Sequence, residues 1–207
     1  MKLLDLSSWP RRDHFHFFQK MTEPFFGITV EVDCTQAYQT AKEQEVSFFL
    51  YYLYQSLRAA NQIESFRFRI QSDQVVIHDQ IDASATINRP DGTFGFSYIS
   101  YHEQLSEFVH SAEKEIERVR QSTGLELAGG RDAIIHYSTL PWLSFTSLSH
   151  ARHFSFPDSI PKITFGKLSE SLGKKTMPVS IHVHHGLMDG YHVGQYVDLF
   201  QELLQQK

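Results

Sequence analysis

The stretch from Met177 to Leu204 restricts the fold of this chain more than any other part of it. Between Met177 and His184, apolar residues alternate with polar or turn residues, as in a β-strand that is buried on one face. From Val193 onwards, apolar residues recur at helical spacing and form one face. The heptapeptide HHGLMDG at positions 184–190 joins these two segments. The chain therefore contains a strand-to-helix junction that holds histidine and aspartate at fixed offsets.

Apolar periodicity predicts a mixture of strands and helices along the rest of the chain. Strands are expected at Phe26–Val32, Phe66–Ile70, Val75–His78, Ala83–Ile87, Phe94–Ile99, Ile134–Tyr137, Leu143–Ser147 and Ile163–Leu168. Helices are expected from near Pro10, with Ser8 as the N-cap, and at Phe48–Asn61 and Leu105–Arg120, with a loop at Gly124–Gly130. Helix formers are grouped between strands rather than alternating with them regularly. The pattern therefore favours an α+β or mixed-sheet sandwich over a Rossmann fold.

Length and composition narrow the class of protein. A chain of 207 residues can bury one sizeable core, so a single domain over residues 1–207 is expected. The net charge of −5, with scattered lysine and arginine, gives no electrostatic footprint for nucleic acid. Cys34 is the only cysteine, which excludes an intramolecular disulfide and favours a reducing compartment. The N-terminus lacks the signal-peptide pattern and no apolar run is long enough for a bilayer, so a cytoplasmic protein is expected.

His185 is the residue of the junction that best suits chemistry. An imidazole with an ordinary pKa of about 6.5 is mostly neutral at pH 7 and can act as a general base. A core histidine bonded to the backbone is the alternative. A metal cluster is another, because His182 and His184 share one face of the predicted strand. His185 points elsewhere and no cysteine helps, so no metal site is expected.

Four segments carry a resemblance to a known family. HHGLMDG follows the pattern HHxxxDG, and Trp9–Phe15 is similar to WxRxxHF. Ser138–Trp142 is similar to SxxPW, and Ile163–Lys167 is similar to (I/F)TMxK. In their order along the chain, in which HHGLMDG comes last, they resemble the chloramphenicol acetyltransferase superfamily of CoA-dependent acyltransferases. The resemblance implies an α+β two-layer sandwich, in which a mixed β-sheet has helices packed on one face.

The resemblance also implies a reaction and a set of site residues. Acetyl-CoA would be the co-substrate, a hydroxyl of chloramphenicol the acceptor, and no metal would take part. His185 would be the general base for direct transfer without an acyl-enzyme. Ser138 would donate a hydrogen bond to the tetrahedral oxyanion, and Thr164 would hold ordered water against it. Lys167 would bind CoA.

Asp189 allows two interpretations. In a Ser-His-Asp triad it would orient the His185 ring. The resemblance instead pairs Asp189 with Arg11, so that the pair holds the backbone of the site. His185 would then be oriented chiefly by backbone carbonyl groups. The second arrangement is the one we expect.

The resemblance places each acceptor pocket at a subunit interface of a homotrimer, and an aromatic content of 14% favours apolar surface for such interfaces. The residues expected to contact the acceptor are Phe17, Phe18, Phe26 and His182. His150, Arg152 and Lys162, however, stand where apolar residues are usual. Either the pocket is altered or these side chains turn outward. Three hypotheses stay open: a chloramphenicol acetyltransferase, an acyltransferase for another hydroxyl or amine, and a non-catalytic binder of hydrophobic ligands.

Overall fold

Two β-sheets and five α-helices make up the part of the chain that the computed structural model describes, which is residues 1–125, 131–153 and 158–206. The helices are α1 (Arg12–Phe18), α2 (Thr35–Glu43), α3 (Phe48–Gln62), α4 (Leu105–Gln121) and α5 (Gly190–Gln205), with a 3₁₀ turn at Glu64–Arg67. The strands are β1 (Lys2–Leu3), β2 (Phe25–Asp33), β3 (Phe68–Gln71), β4 (Gln74–Ile77), β5 (Asp82–Asn88), β6 (Phe94–Phe96), β7 (Ile134–Thr139), β8 (Lys162–Phe165), β9 (Ser169–Ser171) and β10 (Lys174–His184). None of the helices described has the length and apolar character of a membrane span.

The large sheet is mixed, as expected for the predicted fold class. Its strand order is β2-β10-β8-β7-β5-β6, and β9 pairs with β10 outside this path. β5, β7 and β8 run parallel to one another, whereas β10 is antiparallel to both β2 and β8. The small sheet has the order β1-β4-β3.

Helices pack against one face of the large sheet through aromatic side chains. The ring of Phe165 in β8 lies 4.6 Å from that of Tyr52 in α3 and 6.1 Å from that of Phe200 in α5. At the centre of α3, the Ser56 hydroxyl lies 2.6 Å from the Tyr196 hydroxyl of α5. All five side chains are buried, and each buried aromatic ring contributes ~2–3 kcal/mol of hydrophobic free energy. The expectation that helices pack on one face is confirmed.

The opposite face of the large sheet is polar, and we call it the polar face. The central strands β7, β8 and β10 give it alternate residues, while the residues between them belong to the core. Its members are Ser138, Thr164 and Ser180 in one cross-strand row, and His136, Lys162 and His182 in the next. Thr164, Ser180 and Lys162 are buried although they are polar. Buried polar groups cost free energy unless they are partnered, so this face points to a role beyond packing.

Most of the predicted elements are confirmed, including the hairpin of β3 and β4. Its two turn residues, Ser72 and Asp73, both have left-handed backbone conformations, with φ of 47° and 62°. Two consecutive residues of this kind form the type I′ turn that fits the twist of a hairpin. A tight turn therefore joins the two strands that were expected on either side of Ser72-Asp73. Most of the loop expected at Gly124–Gly130 lies outside the described residues.

Two expectations about local structure are wrong, and one helix was missed. Leu143–Ser147 is not a strand, because the Leu143 amide closes a turn onto the Leu140 carbonyl at 3.1 Å. Ser8 does not cap α1: its hydroxyl donates to Asp5, and the helix begins at Arg12. The missed helix is α2, whose buried residues are the small side chains Ala37, Thr40 and Ala41, and these give only a weak apolar period.

Arg69 ties the small sheet to the large one. It is fully buried, and its guanidinium donates to the carbonyl oxygens of Phe66 (2.9 Å), Phe68 (2.6 Å) and Asp132 (2.6 Å). It also donates to the carbonyl oxygen of Ile134, the first residue of β7. Burial lowers the pKa of Arg69 to about 10, so the side chain stays charged at neutral pH.

Replacing Arg69 with methionine is expected to cost about 3–5 kcal/mol in free energy of unfolding, because four buried carbonyl oxygens lose their donor. Urea denaturation followed by circular dichroism measures this difference. Arg12→Met, at an exposed position of α1, is the matched control and should change stability by less than about 0.5 kcal/mol. A loss below about 1 kcal/mol for Arg69→Met would contradict its role as a tie between the sheets.

Candidate active site

His185 lies directly after β10, at the junction with α5. Its backbone amide donates to the Pro24 carbonyl oxygen at 2.8 Å, which anchors the junction beside β2. Its ring is stacked on Phe18 of α1, with centroids 4.0 Å apart and an interplanar angle of 14°. The Phe26 ring of β2 lies 4.6 Å away. Two aromatic side chains from separate elements therefore restrict the imidazole.

A backbone carbonyl group determines which nitrogen of the His185 ring carries the proton. Nδ1 lies 3.2 Å from the Met188 carbonyl oxygen. Because a carbonyl oxygen can only accept, Nδ1 is the protonated nitrogen of the neutral ring. Nε2 is left with a lone pair, which is the form that a general base needs. Orientation of His185 by a backbone carbonyl was expected, and this contact confirms it.

Asp189 is bound to Arg11. The Arg11 guanidinium forms an ion pair with the Asp189 carboxylate and donates to the His185 carbonyl oxygen at 3.1 Å. Asp189 is also the N-cap of α5 and accepts from the Tyr191 amide at 3.1 Å. Its remaining partner is Nδ1 of His192 at 2.8 Å. The contact expected between Asp189 and Arg11 is confirmed, and the aspartate is not the third member of a triad.

These partners stabilise the charged form of Asp189. Partial burial acts to raise the pKa of this carboxyl group. The hydrogen bond to His192 and the charge of Arg11 outweigh it and lower the pKa from the ordinary value of 3.8 to about 2. The Arg11–Asp189 ion pair is therefore intact at neutral pH.

His184 has a structural role in the same junction. Its Nδ1 accepts from the Gly186 amide at 3.1 Å, and its ring meets Phe25 edge to face at 5.6 Å. Burial lowers its pKa to about 4, which keeps the ring neutral and able to accept. A Cβ on Gly186 would lie 3.0 Å from the His184 ring, so the turn leaves little room for a larger residue.

Ser138 and Thr164 lie side by side on the polar face, paired across β7 and β8. Thr164 is buried, and its hydroxyl lies 3.4 Å from Nε2 of His150. His185 is distant from both. Thr164 is paired with Ser180, and His185 follows Ser180 by five residues, which is about 16 Å along an extended strand. The described part of one chain brings Ser138 and Thr164 together but does not bring His185 to them.

The expected acceptor residues fall into two groups. Phe18 and Phe26 lie against the His185 ring, whereas Phe17 is 60% exposed and meets only the edge of Phe18, at 5.1 Å. His182 lies on the polar face, where its ring meets that of His150 at 4.9 Å. The His182 side chain also passes over Gly27 of β2, where a Cβ atom added to the glycine would lie 2.2 Å from the imidazole ring. Glycine at this position is therefore required for the observed place of His182.

The three polar residues that depart from the family pattern turn inward. His150, Arg152 and Lys162 line a pocket of about 220 Å³ together with His182, Phe25 and Glu23. These three side chains therefore do not turn outward, which was one of the two alternatives. Sequence reasoning missed Glu23, Phe25 and Asp158, whose carboxylate lies 2.5 Å from Lys162 Nζ. These residues are distant along the chain or follow no motif, so only the folded structure identifies them.

Lys167 lies beside a second, more apolar cavity of about 390 Å³. Its neighbours Gly166 and Leu168 line this cavity with Phe48, Phe49, Tyr52, Thr139, Pro141, Met177 and Arg120. Thr139 is the last residue of β7, so the cavity reaches the end of this strand on the face opposite to Ser138. Lys167 itself is exposed. Across the described ranges, no group of three or more His, Cys, Asp or Glu side chains is placed to hold a metal ion.

Comparison with known proteins decides the family. The sequence profile of the family described as chloramphenicol acetyltransferase matches residues 1–201. The chain belongs to the chloramphenicol acetyltransferase family. It is an acyltransferase.

Relatives and a solved structure agree with this membership over nearly full length. The chain is 29% identical to a chloramphenicol acetyltransferase of Bacillus pumilus over 94% of its own length and 90% of the relative. It is 27% identical to chloramphenicol acetyltransferase 3 of Escherichia coli, over 98% and 96% of the two chains. A solved chloramphenicol acetyltransferase structure superposes with a TM-score of 0.91 at 33% identity and covers 98% of this chain and 99% of that one. The fold expected from the resemblance is confirmed.

Asp189→Asn is expected to lower the free energy of unfolding by about 1–3 kcal/mol at pH 7. The loss is smaller than for breaking a fully buried ion pair, because the Asp189 carboxylate is partly exposed. The folded-state pKa lies below the ordinary value, so this stabilisation is present above about pH 4 and is lost as the pH falls towards about 2. Urea titrations at several pH values measure it. Asp198→Asn, at an exposed position of α5, is the control. A pH-independent difference between wild type and Asp189→Asn would contradict the ion pair.

Proposed function

We propose that this chain transfers the acetyl group of acetyl-CoA to a hydroxyl of chloramphenicol, with His185 as the general base. The observation that carries the proposal is the bond between His185 Nδ1 and the Met188 carbonyl, which leaves Nε2 free to take a proton. The names of the relatives, and the presence of both Ser138 and Thr164 on one face of the sheet, support it. A non-catalytic binder has no need of a base in this tautomer.

The reaction proceeds by direct transfer. His185 Nε2 takes the proton of the acceptor hydroxyl as its oxygen attacks the thioester carbonyl carbon, and a tetrahedral oxyanion forms. The Ser138 hydroxyl donates to this oxyanion, and Thr164 holds water against it. When the carbon–sulfur bond breaks, the proton on His185 passes to the sulfur, and the acetyl ester and free CoA leave. General base catalysis is typically worth about 10²–10⁴-fold, and one oxyanion donor about 10²–10³-fold.

Two copies of the chain are needed to complete such a site. A base must lie within hydrogen-bonding reach of the proton that it removes, directly or through one water. Within one chain, His185 lies ~16 Å along β10 from the position of Ser138 and Thr164, which is far beyond that reach. We infer that His185 of one copy faces Ser138 and Thr164 of its neighbour in a homotrimer, whose closed symmetry gives three equal sites. Phe17, 60% exposed, and Trp142, 66% exposed, supply apolar surface that such an interface would cover.

The cavity beside Lys167 is the site that we propose for acetyl-CoA. Its aromatic and aliphatic lining suits the uncharged arm that carries the thioester. Arg120 in its wall and Lys167 at its edge can pair with phosphate groups. Thr139, the residue after Ser138, lines the cavity, so the cavity meets β7 at the position where the predicted oxyanion donor lies on the opposite face of the sheet.

A second candidate for the acceptor is supported by the pocket on the polar face. Lys162 and Arg152 are charged groups in a place where an aryl ring would have to be buried. Acetyl transfer to a different hydroxyl or amine is therefore the alternative function.

His185→Ala is expected to lower turnover by at least about 100-fold, because the base is lost while the oxyanion donor remains. Release of the CoA thiol, with acetyl-CoA and chloramphenicol as substrates, measures the rate. His110→Ala, on the exposed side of α4, should keep wild-type turnover. Retention of more than about a tenth of wild-type turnover by His185→Ala would mean that another group is the base.

Mixed assemblies test whether each site is shared between two chains. Co-expression of equal amounts of His185→Ala and Ser138→Ala chains is expected to restore about a quarter of wild-type activity. Each interface of a random trimer takes His185 from one chain and Ser138 from its neighbour. Both residues are intact in about a quarter of the interfaces. Each variant alone should be nearly inactive. Activity of the mixture no higher than the mean of the two single variants would place both residues in one chain's site.

A further inference from the structure

The pocket on the polar face brings two cationic side chains next to the predicted chemistry. Lys162 is only 7% exposed and precedes Thr164 by two residues on β8, so both side chains point to the same face. Arg152 enters the pocket from the loop after β7, and its guanidinium lies 3.7 Å from the centre of the Phe25 ring. Lys162 Nζ lies 4.7 Å from the same ring. The two cations therefore lie against a single aromatic side chain.

The carboxylates that accompany these cations differ in how firmly they are held. Asp158 is held from both sides: Lys162 Nζ lies 2.5 Å from its Oδ2, and its Oδ1 accepts from the Ile160 amide at 2.9 Å. Glu23 lies in the loop before β2, forms an ion pair with Arg152 and has a side chain that is 46% exposed. Only the Glu23 side of this pair is exposed, so solvent screens the attraction in part and an incoming anion can compete with Glu23 for the Arg152 guanidinium.

Glu23 also shows which chemical group fits the pocket. Its carboxylate binds the Arg152 guanidinium and accepts from the Phe25 amide at 3.0 Å. A guanidinium binds planar carboxylates well because its donors form a rigid fork. The side chain of Glu23 thus occupies the position that a carboxylate of a bound molecule would take.

The other walls of the pocket are neutral and polar. Burial, with the nearby His182 and Lys162, lowers the pKa of His150 to about 4. Burial also lowers the pKa of His182, and Lys162 and Arg152 act in the same direction. Both imidazoles are therefore uncharged at neutral pH and can donate or accept hydrogen bonds. They add no charge that would offset the attraction of the two cations for an anion.

We propose that this pocket is the subsite for a carboxylate group of the acceptor. The inference rests on the proposed acetyl transfer and specifies its substrate class: a hydroxyl compound with a carboxylate at its far end. Arg152 and Lys162 bind the carboxylate, and Glu23 leaves when it enters. Two residues along β8 span about 7 Å, which sets the distance between the carboxylate at Lys162 and the reaction at Thr164.

Three acceptors that differ in one group test the substrate class. They are 4-(hydroxymethyl)benzoate, its neutral amide 4-(hydroxymethyl)benzamide, and 4-methylbenzyl alcohol. In the benzoate, the para-substituted ring separates the hydroxyl from the carboxylate by a distance comparable to that between Lys162 and Thr164. Thiol release from acetyl-CoA gives kcat/KM for each, with chloramphenicol as the reference acceptor. We expect the benzoate to exceed both neutral compounds by at least tenfold. Equal values for the benzoate and the neutral compounds would overturn the proposal.

Two single variants test the roles of the charged residues. Glu23→Gln should raise the ratio of kcat/KM for the benzoate to kcat/KM for the neutral compounds several-fold, because the internal competitor is gone. Lys162→Met should reduce the preference for the benzoate at least tenfold. Glu113→Gln and Lys114→Met, at exposed positions of α4, are the matched controls. An unchanged preference in both pocket variants would show that the ion pairs only hold the structure together.

Additional measurements keep the outcomes distinct. If Lys162→Met fails to fold because Asp158 is left unpaired, the double variant Lys162→Met/Asp158→Asn replaces it and carries the same expectation. Calorimetric titration with 4-(hydroxymethyl)benzoate measures binding without turnover. Binding that is lost in the Lys162 variant, with no acetyl transfer to any acceptor, supports the subsite and rejects the proposed function. Efficient transfer to chloramphenicol, without preference for the benzoate, rejects the subsite and leaves the proposed function standing.

Discussion

The ion pair between Arg11 and Asp189 joins the two ends of the chain at the point where the predicted base lies. Arg11 stands directly before α1, and Asp189 is the N-cap of α5. Because Arg11 also donates to the His185 carbonyl, the pair holds α1, the junction and α5 in one arrangement. α1 then places Phe18 on the His185 ring. The orientation of the imidazole therefore depends on a contact between residues 178 positions apart in sequence.

Strand alternation divides the large sheet into a face that packs against the helices and a polar face, which carries the predicted site residues Ser138 and Thr164. Residues such as Phe165 enter the core beneath the helices, and their neighbours, such as Thr164, enter the polar face. Burying hydroxyl, imidazole and ammonium groups there costs free energy, which hydrogen bonds and ion pairs only partly offset. The acyltransferase fold tolerates this cost because the opposite face supplies a continuous apolar core.

In the proposed reaction, the separation of His185 from Ser138 links catalysis to the association of two chains. The two side chains extend from different parts of one sheet, about 16 Å apart along the strand direction. A proposed site that is completed by a second copy is absent from an isolated chain. In the proposed arrangement, its acceptor pocket combines the base of one copy with the polar face of another, and changes at Lys162 or Arg152 would alter the choice of acceptor without moving the base.

The sequence by itself determined what depends on local spacing. The alternation in β10, the apolar stripe of α5 and the turn between them follow from residues within a few positions. Local patterns misled at Leu143–Ser147, where apolar residues lie in an exposed turn, and at α2, whose buried side chains are small. Only the tertiary structure decided that Lys162 and Arg152 turn inward and meet Asp158 and Glu23. The physical reason is that the burial of a charge depends on partners that the fold brings to it, from four residues away for Asp158 and from a distant segment for Glu23.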